Sequence, residues 1–525
     1  MKNYIYSLIF LFCCAIPSVA QNYYFVKLHD KANSSYSFSH PEDFLSDRAI
    51  ARRIKHNCPI DSMDLPIKSN YVDLVKGTGA SVIHQSKWFN GLTVFATNTQ
   101  YESIKALTCV DSVELTWAPQ TPIRKMRKNI SASTTLNQGF SQVQNQMLNI
   151  PALHAAGFCG QGLQIAVMDV GFENVDEMSA FDSLRLQGHL FGTRDFVNPQ
   201  GSVFNQGTHG TAALSTMAAN IPDDYLGVAP NASYWLFRTE DEDSESRLEI
   251  DNWVAALEFA DSLGVDVVTS SLGYTEFDDP AQNFTYADLN GHTARNSLAA
   301  TWAARRGILL FNSAGNEGEV AWRYISTPAD ADSILCVGSV KADETFSAFS
   351  SVGPSADGRI KPEVCAMGSL AAIVTSDDVI GYSNGTSFSS PIMAGAVTCL
   401  WQALPLKTNI EILNLVLASS DRYEYPDNQY GYGIPDLWSA YLSITSNESL
   451  VISNMMPICY PNPVDTWLYI KSNIPLFSWQ LFDLQGCLQL TGVASQIDFS
   501  SFSEGIYVLK ILQGNDVFAY KIINQ

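Results

Sequence analysis

Gly385-Thr386-Ser387-Phe388-Ser389-Ser390-Pro391 sets a serine between a glycine turn and an apolar run, Ile392-Met393-Ala394-Gly395-Ala396-Val397. The run has the small and apolar residues of a buried helix. A serine at such a start faces the positive end of the helix and opens into a cleft. Working outward, Gly207-Thr208-His209-Gly210-Thr211 places a histidine between glycines, at the head of a second small-residue helix from Ala212 to Ala219. Further upstream, Leu163-Gln164-Ile165-Ala166-Val167-Met168 reads as a buried parallel strand that ends in Asp169, followed by Gly171. An acid at the carboxyl end of such a strand lies where open α/β sheets build their sites. Ser313-Ala314-Gly315-Asn316-Glu317-Gly318 follows the apolar strand Ile308-Leu309-Leu310-Phe311 and supplies an amide donor.

These residue types fit one chemistry. A serine hydroxyl is a poor nucleophile until an imidazole takes its proton, and the imidazole needs its tautomer fixed by an acid. A tetrahedral oxyanion needs donors already in place. The order Asp, His, Ser, with intervals of 40 and 178 residues, separates this constellation from others that share the chemistry in a different order. Read singly, Ser387 is a helix cap and Asp169 a turn acid. Of the histidines beyond the N-terminal region, His154, His189, His209 and His292, only His209 is flanked by glycines.

Together these motifs, with Ser270-Ser271-Leu272-Gly273, resemble the subtilase family of serine peptidases over roughly residues 140–443. The resemblance implies Ser387 as nucleophile, His209 as general base and then acid, Asp169 as the orienting group and Asn316 as an oxyanion donor. It implies that Ser270, Ser271, Leu272 and Gly273 pair with a peptide substrate by strand addition, with Ala314 and Gly315 forming the opposite wall. Glu317 reaches the mouth of that pocket, where it favours a basic side chain, or else is a solvated carboxylate. Thr327-Pro328-Ala329-Asp330 resembles the family's cis-proline turn. One departure is Val170, where the family usually carries a hydroxyl able to bond the acid. No cofactor is needed for this chemistry, and the resemblance leaves room for structural calcium at sites it does not specify. The fold implied is α/β, a doubly wound parallel sheet. Helical periodicity from Asn252 to Leu263, followed by the strand Val265 to Ser270, agrees with it.

The 525 residues, 46% apolar and 16% charged, suit a globular protein of roughly two to four domains. Lys2, the apolar run Ile5 to Ile16 and Ser18-Val19-Ala20 read as a signal peptide over 1–20, cut near Gln21. That run is too short to span a bilayer, and no later one is long enough. Of ten cysteines, two lie in the signal, two at Cys58 and Cys109, four at Cys159, Cys336, Cys365 and Cys399, and two at Cys459 and Cys487. Even numbers per segment in an exported chain permit disulfides confined to each domain. No Cys-x-x-Cys, His-Glu-x-x-His or phosphate-binding glycine loop occurs, so metal-hydrolase, redox and nucleotide readings lack support.

Charge divides the chain. Residues 21–128 carry 14 basic and 10 acidic side chains, +4, and residues 129–525 carry 16 and 43, −27. This balance favours docking of the first part on the second and argues against nucleic acid as a partner. Residues 21–128 read as a small α+β domain, with strands at Tyr71 to Val75 and Leu92 to Ala96 and a helix from Gln100 to Leu107. Its place before a subtilase-like body implies a propeptide that assists folding and blocks the cleft. Arg124-Lys125-Met126-Arg127-Lys128 is an exposed cleavage site or a linker. The run Glu240-Asp241-Glu242-Asp243, with Glu245 and Glu249, lacks a full calcium-loop pattern and reads as a solvated acidic helix start.

The body closes with Gly431-Tyr432-Gly433-Ile434-Pro435-Asp436 and a short helix to Leu442, and 444–455 reads as linker. Residues 456–525 change to short alternating strands at Trp467 to Ile470, Trp479 to Asp483 and Gly505 to Lys510, a small β-sandwich. That tail resembles the C-terminal sorting domains of the type IX (Por) secretion route of Bacteroidota, which implies a secreted or cell-surface protein that engages secretion machinery. An accessory binding module is the alternative. For the whole chain the reading is a secreted serine endopeptidase. The rival readings are an inactive fold used for surface binding or adhesion, and an esterase on the same groups.

Overall fold

The computed structural model describes residues 20–119, 139–445, 457–471, 478–513 and 516–525. The signal stretch before Ala20, the basic run Arg124 to Lys128 and most of the expected linker lie outside these residues. The expected linker begins within a helix of residues 437–445.

The body is built on seven parallel strands in the spatial order Val364–Met367, Leu335–Val340, Leu309–Ser313, Val267–Ser270, Gln164–Asp169, Ser233–Arg238 and Leu190–Asp195. Six of the seven strands have every residue buried or all but one, as expected of a sheet covered by helices on both faces. Ala166, Met168, Val268 and Leu310 share a core with Trp253, Ala256 and Ala260 of the helix Arg247–Leu263 and with Ala299 and Ala303 of the helix Arg295–Arg305. Alternation along the strands leaves Ile165, Val167, Val267 and Leu309 for the opposite face. The helices Thr208–Ala218 and Thr386–Ala403 pack against each other and against the strands. Both are buried almost all round, which is why their sequences are small and apolar on every side.

The N-terminal part forms a four-stranded antiparallel sheet, β2-β3-β1-β4, from β1 (Gln21–Leu28), β2 (Ser81–Ser86), β3 (Gly91–Thr97) and β4 (Val110–Trp117). Its helices are α1 (Asp47–Lys55), α2 (Ser69–Gly77) and α3 (Asn98–Lys105). Tyr71 to Val75, expected as a strand, is the middle of α2. Val72 and Val75 are buried three residues apart while Leu74 is 47% exposed, a helical face rather than a strand's alternation. Helix α3 starts two residues before expectation because Thr97 and Gln100 form a reciprocal cap, with Gln100 N–H on Thr97 Oγ1 at 3.3 Å and Thr97 N–H on Gln100 Oε1 at 2.8 Å.

The two faces of this small sheet serve different cores. Val26, Leu28, Leu92, Val94 and Ala96 pack with Val72, Val75 and Ile104 of its own helices. Phe25, Trp88 and Phe89 enter the core of the body beside Trp253 and Val254. Trp88 and Phe89 are thus part of the apolar contact between the two parts.

Residues 441–525 form a separate compact unit. One antiparallel sheet orders Ile458–Tyr460, Trp467–Lys471 and Gln496–Asp498, and a second orders Leu488–Gly492, Ser478–Asp483, Gly505–Gln513 and Asp516–Asn524. Leu468, Ile470 and Ile497 of the first share one core with Trp479, Leu481, Leu509, Ile511 and Ile522 of the second, a sandwich as expected. All eight cysteines among the described residues are free thiols. The even count per segment is therefore not used for bridging, and burial rather than oxidation accounts for Cys336, Cys365 and Cys399.

Candidate active site

Asp169 is the last residue of a central strand and is fully buried. Its Oδ1 lies 2.8 Å from His209 Nδ1 and accepts the Val170 N–H at 2.8 Å. Three glycines make the contact attainable. A Cβ on Gly171 (φ 143°) would sit 2.1 Å from the Gln206 carbonyl oxygen, and one on Gly207 (φ 79°) 2.5 Å from Gly171 Cα. A Cβ on Gly210 would lie 2.1 Å from the Gly171 carbonyl oxygen and 2.9 Å from Asp169 Cβ. The strand-end loop and the start of the helix Thr208–Ala218 thus touch backbone to backbone. A carboxylate can only accept, so Nδ1 carries the proton and Nε2 is the unprotonated nitrogen of a neutral ring. Asp169 Oδ2 is buried with no hydrogen-bond partner, which agrees with the missing hydroxyl at Val170.

Ser387 is the second residue of the helix Thr386–Ala403 and is buried to all but 8%. Its neighbour Phe388 has its ring centroid 6.0 Å from that of His209. Pro391 stands four residues on and has no N–H, so the Ser387 carbonyl loses its helical donor. Ser271 Oγ replaces it at 2.8 Å. Asn316 is oriented with equal economy. Thr386 N–H and Thr386 Oγ1 bond to Asn316 Oδ1 at 2.9 and 3.0 Å, so the atom they meet must be the oxygen. The amide N–H₂ therefore points the other way, and a Cβ on Gly385 would be 3.7 Å from Nδ2.

The expected substrate-facing residues separate on inspection. Ser270 is fully buried, paired with Met168 and Asn312 on either side, and its Oγ accepts the Trp253 indole N–H at 2.9 Å. It belongs to the sheet and not to an open edge. Ser271, Leu272 and Gly273 run past the sheet, half-buried to exposed, although the Leu272 carbonyl already accepts from Asn312 Nδ2 at 3.0 Å. Ala314 is buried with Leu289, Ile325 and Ala329, so only its backbone can line a pocket. Gly315 (φ 108°) has no room for a side chain, with Ser351 Oγ 2.8 Å from its Cβ position. Glu317 is half-buried, and its N–H rests on Ser351 Oγ at 3.0 Å. The Thr327–Pro328 peptide is cis, as expected. Sequence reasoning missed Ser326, whose buried hydroxyl has no partner and lies next to Gly273 and Gly315. It missed Ser351 as well, and no local signal points to either. Thr386, inside the opening stretch, could have been found from its neighbours.

Residues 160–433 match the subtilase family, 23–133 the peptidase S8 propeptide domain of Bacteroidota, and 458–525 the secretion system C-terminal sorting domain. The chain belongs to the subtilase family. It is 29% identical over 306 residues to subtilisin NAT of Bacillus subtilis subsp. natto, a stretch that covers 58% of this chain and 70% of that protein. Identity is 28% over 306 residues to the subtilisin of Bacillus pumilus, covering 58% of this chain and 97% of the other. This subtilase is therefore of the serine-peptidase type and bears a propeptide domain. Its sorting domain marks it as a secreted or cell-surface protein. Among the described residues, no helix is long and apolar enough to cross a membrane.

The acidic run beside the site is the solvated helix start expected of it only in part: Glu242 and Asp243 are exposed, whereas two members turn inward. Glu240 and Glu249 are 6% and 3% exposed. Glu240 Oε1 accepts from Tyr274 Oη at 2.5 Å and Thr239 Oγ1 at 2.9 Å, and Glu249 accepts the Asp241 and Ser246 N–H groups at 3.1 and 2.9 Å. Among the described residues, no group of three or more His, Cys, Asp or Glu side chains is arranged to hold a metal ion. Burial pushes the Glu240 carboxyl up to about 8, and burial with repulsion from Glu240 pushes Glu249 up as well.

Two outcomes follow from this geometry. A carboxyl raised above its unfolded value of ~4.3 stabilises the fold fully below that pH and loses the contribution as pH rises to about 8. Glu240→Gln should therefore show a shallower fall of melting temperature between pH 5 and 8 than the parent, read by scanning calorimetry. Gly210→Ala should drive the helix start off Asp169. A nuclear magnetic resonance spectrum of the His209 ring should then lose the downfield-shifted Nδ1 proton expected of the parent.

Proposed function

We propose that this subtilase is a secreted endopeptidase that cleaves peptide bonds through an acyl-enzyme on Ser387. The observation that carries the reading is the Asp169–His209 contact at 2.8 Å, at the same carboxyl edge of the sheet as Ser387 and a pre-oriented Asn316. In this mechanism His209 Nε2 takes the Ser387 Oγ proton as the oxygen attacks the scissile carbonyl. It then passes the proton to the leaving amine, and water repeats the cycle on the ester. Asp169 holds the tautomer and stabilises the imidazolium. The Ser387 N–H and Asn316 Nδ2 receive the oxyanion. A side-chain donor of this kind is worth ~10²–10³ in turnover, a figure measured on a subtilisin and carried over to this chain.

The substrate backbone adds along Ser271, Leu272 and Gly273, opposite the Ala314–Gly315 main chain. Every reacting group is a side chain or main-chain N–H, so the chemistry calls for no cofactor. Structural calcium, which the family allows, would use scattered ligands, since no group of three or more His, Cys, Asp or Glu side chains among the described residues is arranged to hold a metal ion. Residues 21–128 act as an intramolecular inhibitor on this reading, and the tail engages the secretion machinery.

Fluorophosphonate labelling of the processed protein tests the reading. Labelling of the parent and not of Ser387→Ala is the expected result. A folded, propeptide-free parent that takes no label would reduce the chain to an inactive binding fold. In an active preparation, Thr386→Val removes one of the two bonds that orient Asn316. The loss of about 0.5–1.5 kcal/mol should lower kcat roughly two- to tenfold with KM kept.

A further inference from the structure

Between β1 and α2 the chain makes an excursion, residues 29–68, that carries α1, far longer than a usual connection. The excursion leaves the small sheet and ends against the body. Ser46 N–H and Oγ bond to the Ser262 and Leu263 carbonyls at 3.0 and 2.9 Å, and Arg48 Nε to the Gly264 carbonyl at 3.0 Å. Arg52 places Nη2 on the Asp261 carbonyl at 2.9 Å and on Asp261 Oδ1 at 2.5 Å, Nε on the Arg306 carbonyl at 3.1 Å, and Nη1 on the Val265 carbonyl. Arg53 reaches the Arg306 carbonyl at 3.1 Å, Asp261 Oδ2 at 3.0 Å and Asp64 Oδ1 at 2.8 Å.

The acceptors are the last carbonyls of the helices Arg247–Leu263 and Arg295–Arg305 and of the turns that follow. Carbonyls at a helix end lack the regular i+4 donor and stand at the negative end of the dipole, although the Asp261 carbonyl also accepts the Gly264 N–H at 3.2 Å. A guanidinium, with five donors in a fixed fork, suits them better than an ammonium. Asp261 is fully buried, and a buried carboxylate without a cation is strongly unfavourable. Among the described residues its ion-pair partners are Arg52, Arg53 and Lys87, all from the N-terminal domain. Burial alone would raise its carboxyl, but these cations outweigh burial and hold it well below the usual range. The exchange is reciprocal, since Arg306 Nε of the body lies 3.2 Å from Asp64 Oδ1 of the excursion.

We infer that Asp261 and these two helix ends form a guanidinium-binding site that keeps the propeptide on the body after the chain between them is cut. The site lies at the amino edge of the sheet, where Arg48 also pairs with Asp266 and the Gly162 carbonyl, just before the strands Val267–Ser270 and Gln164–Asp169. The reacting groups lie at the other edge, about 20 Å away along a six-residue strand. Retention and cleft blocking are thus separate contacts. The inference rests on the propeptide reading of residues 21–128 and needs no catalysis.

The test uses the full chain with Ser387→Ala and a recognition sequence for an added protease placed between residues 119 and 139. After cutting, the dissociation constant of the two fragments is measured by size exclusion at falling concentration. Arg52→Gln with Arg53→Gln should weaken retention roughly a hundredfold or more, and Arg48→Gln, at the exposed margin, less. A folded double variant, checked by near-ultraviolet circular dichroism, that is retained as tightly as the parent would overturn the site. Should the double variant not fold, argininamide decides on the parent complex. Weaker retention than in sodium chloride of equal ionic strength supports the site, and equal retention overturns it.

Discussion

Backbone-on-backbone contact at Gly171, Gly207 and Gly210 is the constraint from which the site follows. Any side chain there would meet main-chain atoms at 2.1–2.5 Å, and the carboxyl end of one strand could not reach the first turn of a helix 40 residues on. Because it can, a buried carboxylate and an imidazole meet at 2.8 Å, without a long side chain to bridge them. Each short side chain costs little conformational entropy to hold in place. The unpartnered Asp169 Oδ2 is what remains uncompensated, since the residue that could have bonded it is Val170.

The serine side of the site is held by a similar economy of groups. Pro391 deprives the Ser387 carbonyl of a helical donor, and Ser271, on the segment that leaves the neighbouring strand, supplies one. The helix start is thereby tied to the edge along which a peptide is proposed to bind. Thr386 then uses its N–H and hydroxyl on Asn316, fixing the amide before any substrate arrives. Preorganisation of this kind is what an oxyanion site requires, because donors that had to turn during the reaction would give part of their effect back.

The residues proposed to react stand out in the sequence because each sits in a short motif whose glycines and neighbours are local. The sheet was legible because its strands are buried on both faces. Contacts between distant segments were not. Ser270 belongs to a strand end whose exposure depends on Met168 and Asn312, 102 and 42 residues away, and Ser326 and Ser351 carry no sequence pattern at all. Tyr71 to Val75 satisfies both periodicities over so short a run, and only burial of Val72 and Val75 against the sheet decides for helix. The acidic run misled for a related reason. Its composition suggests solvent, while two of its members turn inward, Glu249 to cap backbone N–H groups and Glu240 to meet the Tyr274 hydroxyl.

Charge shows the same division between what composition carries and what geometry adds. A part at +4 beside one at −27 predicts attraction, yet attraction of that kind is long-ranged, screened by salt and indifferent to register. The contacts that fix the domains are buried and specific. Glu258 accepts from Ser86 Oγ and from the Lys87 and Trp88 N–H groups. Arg295 links Asp251 to Glu114, and Asp261 collects three cations. Screening by salt acts weakly on such pairs. The overall imbalance therefore speeds encounter, whereas the buried pairs decide how long the domains stay together.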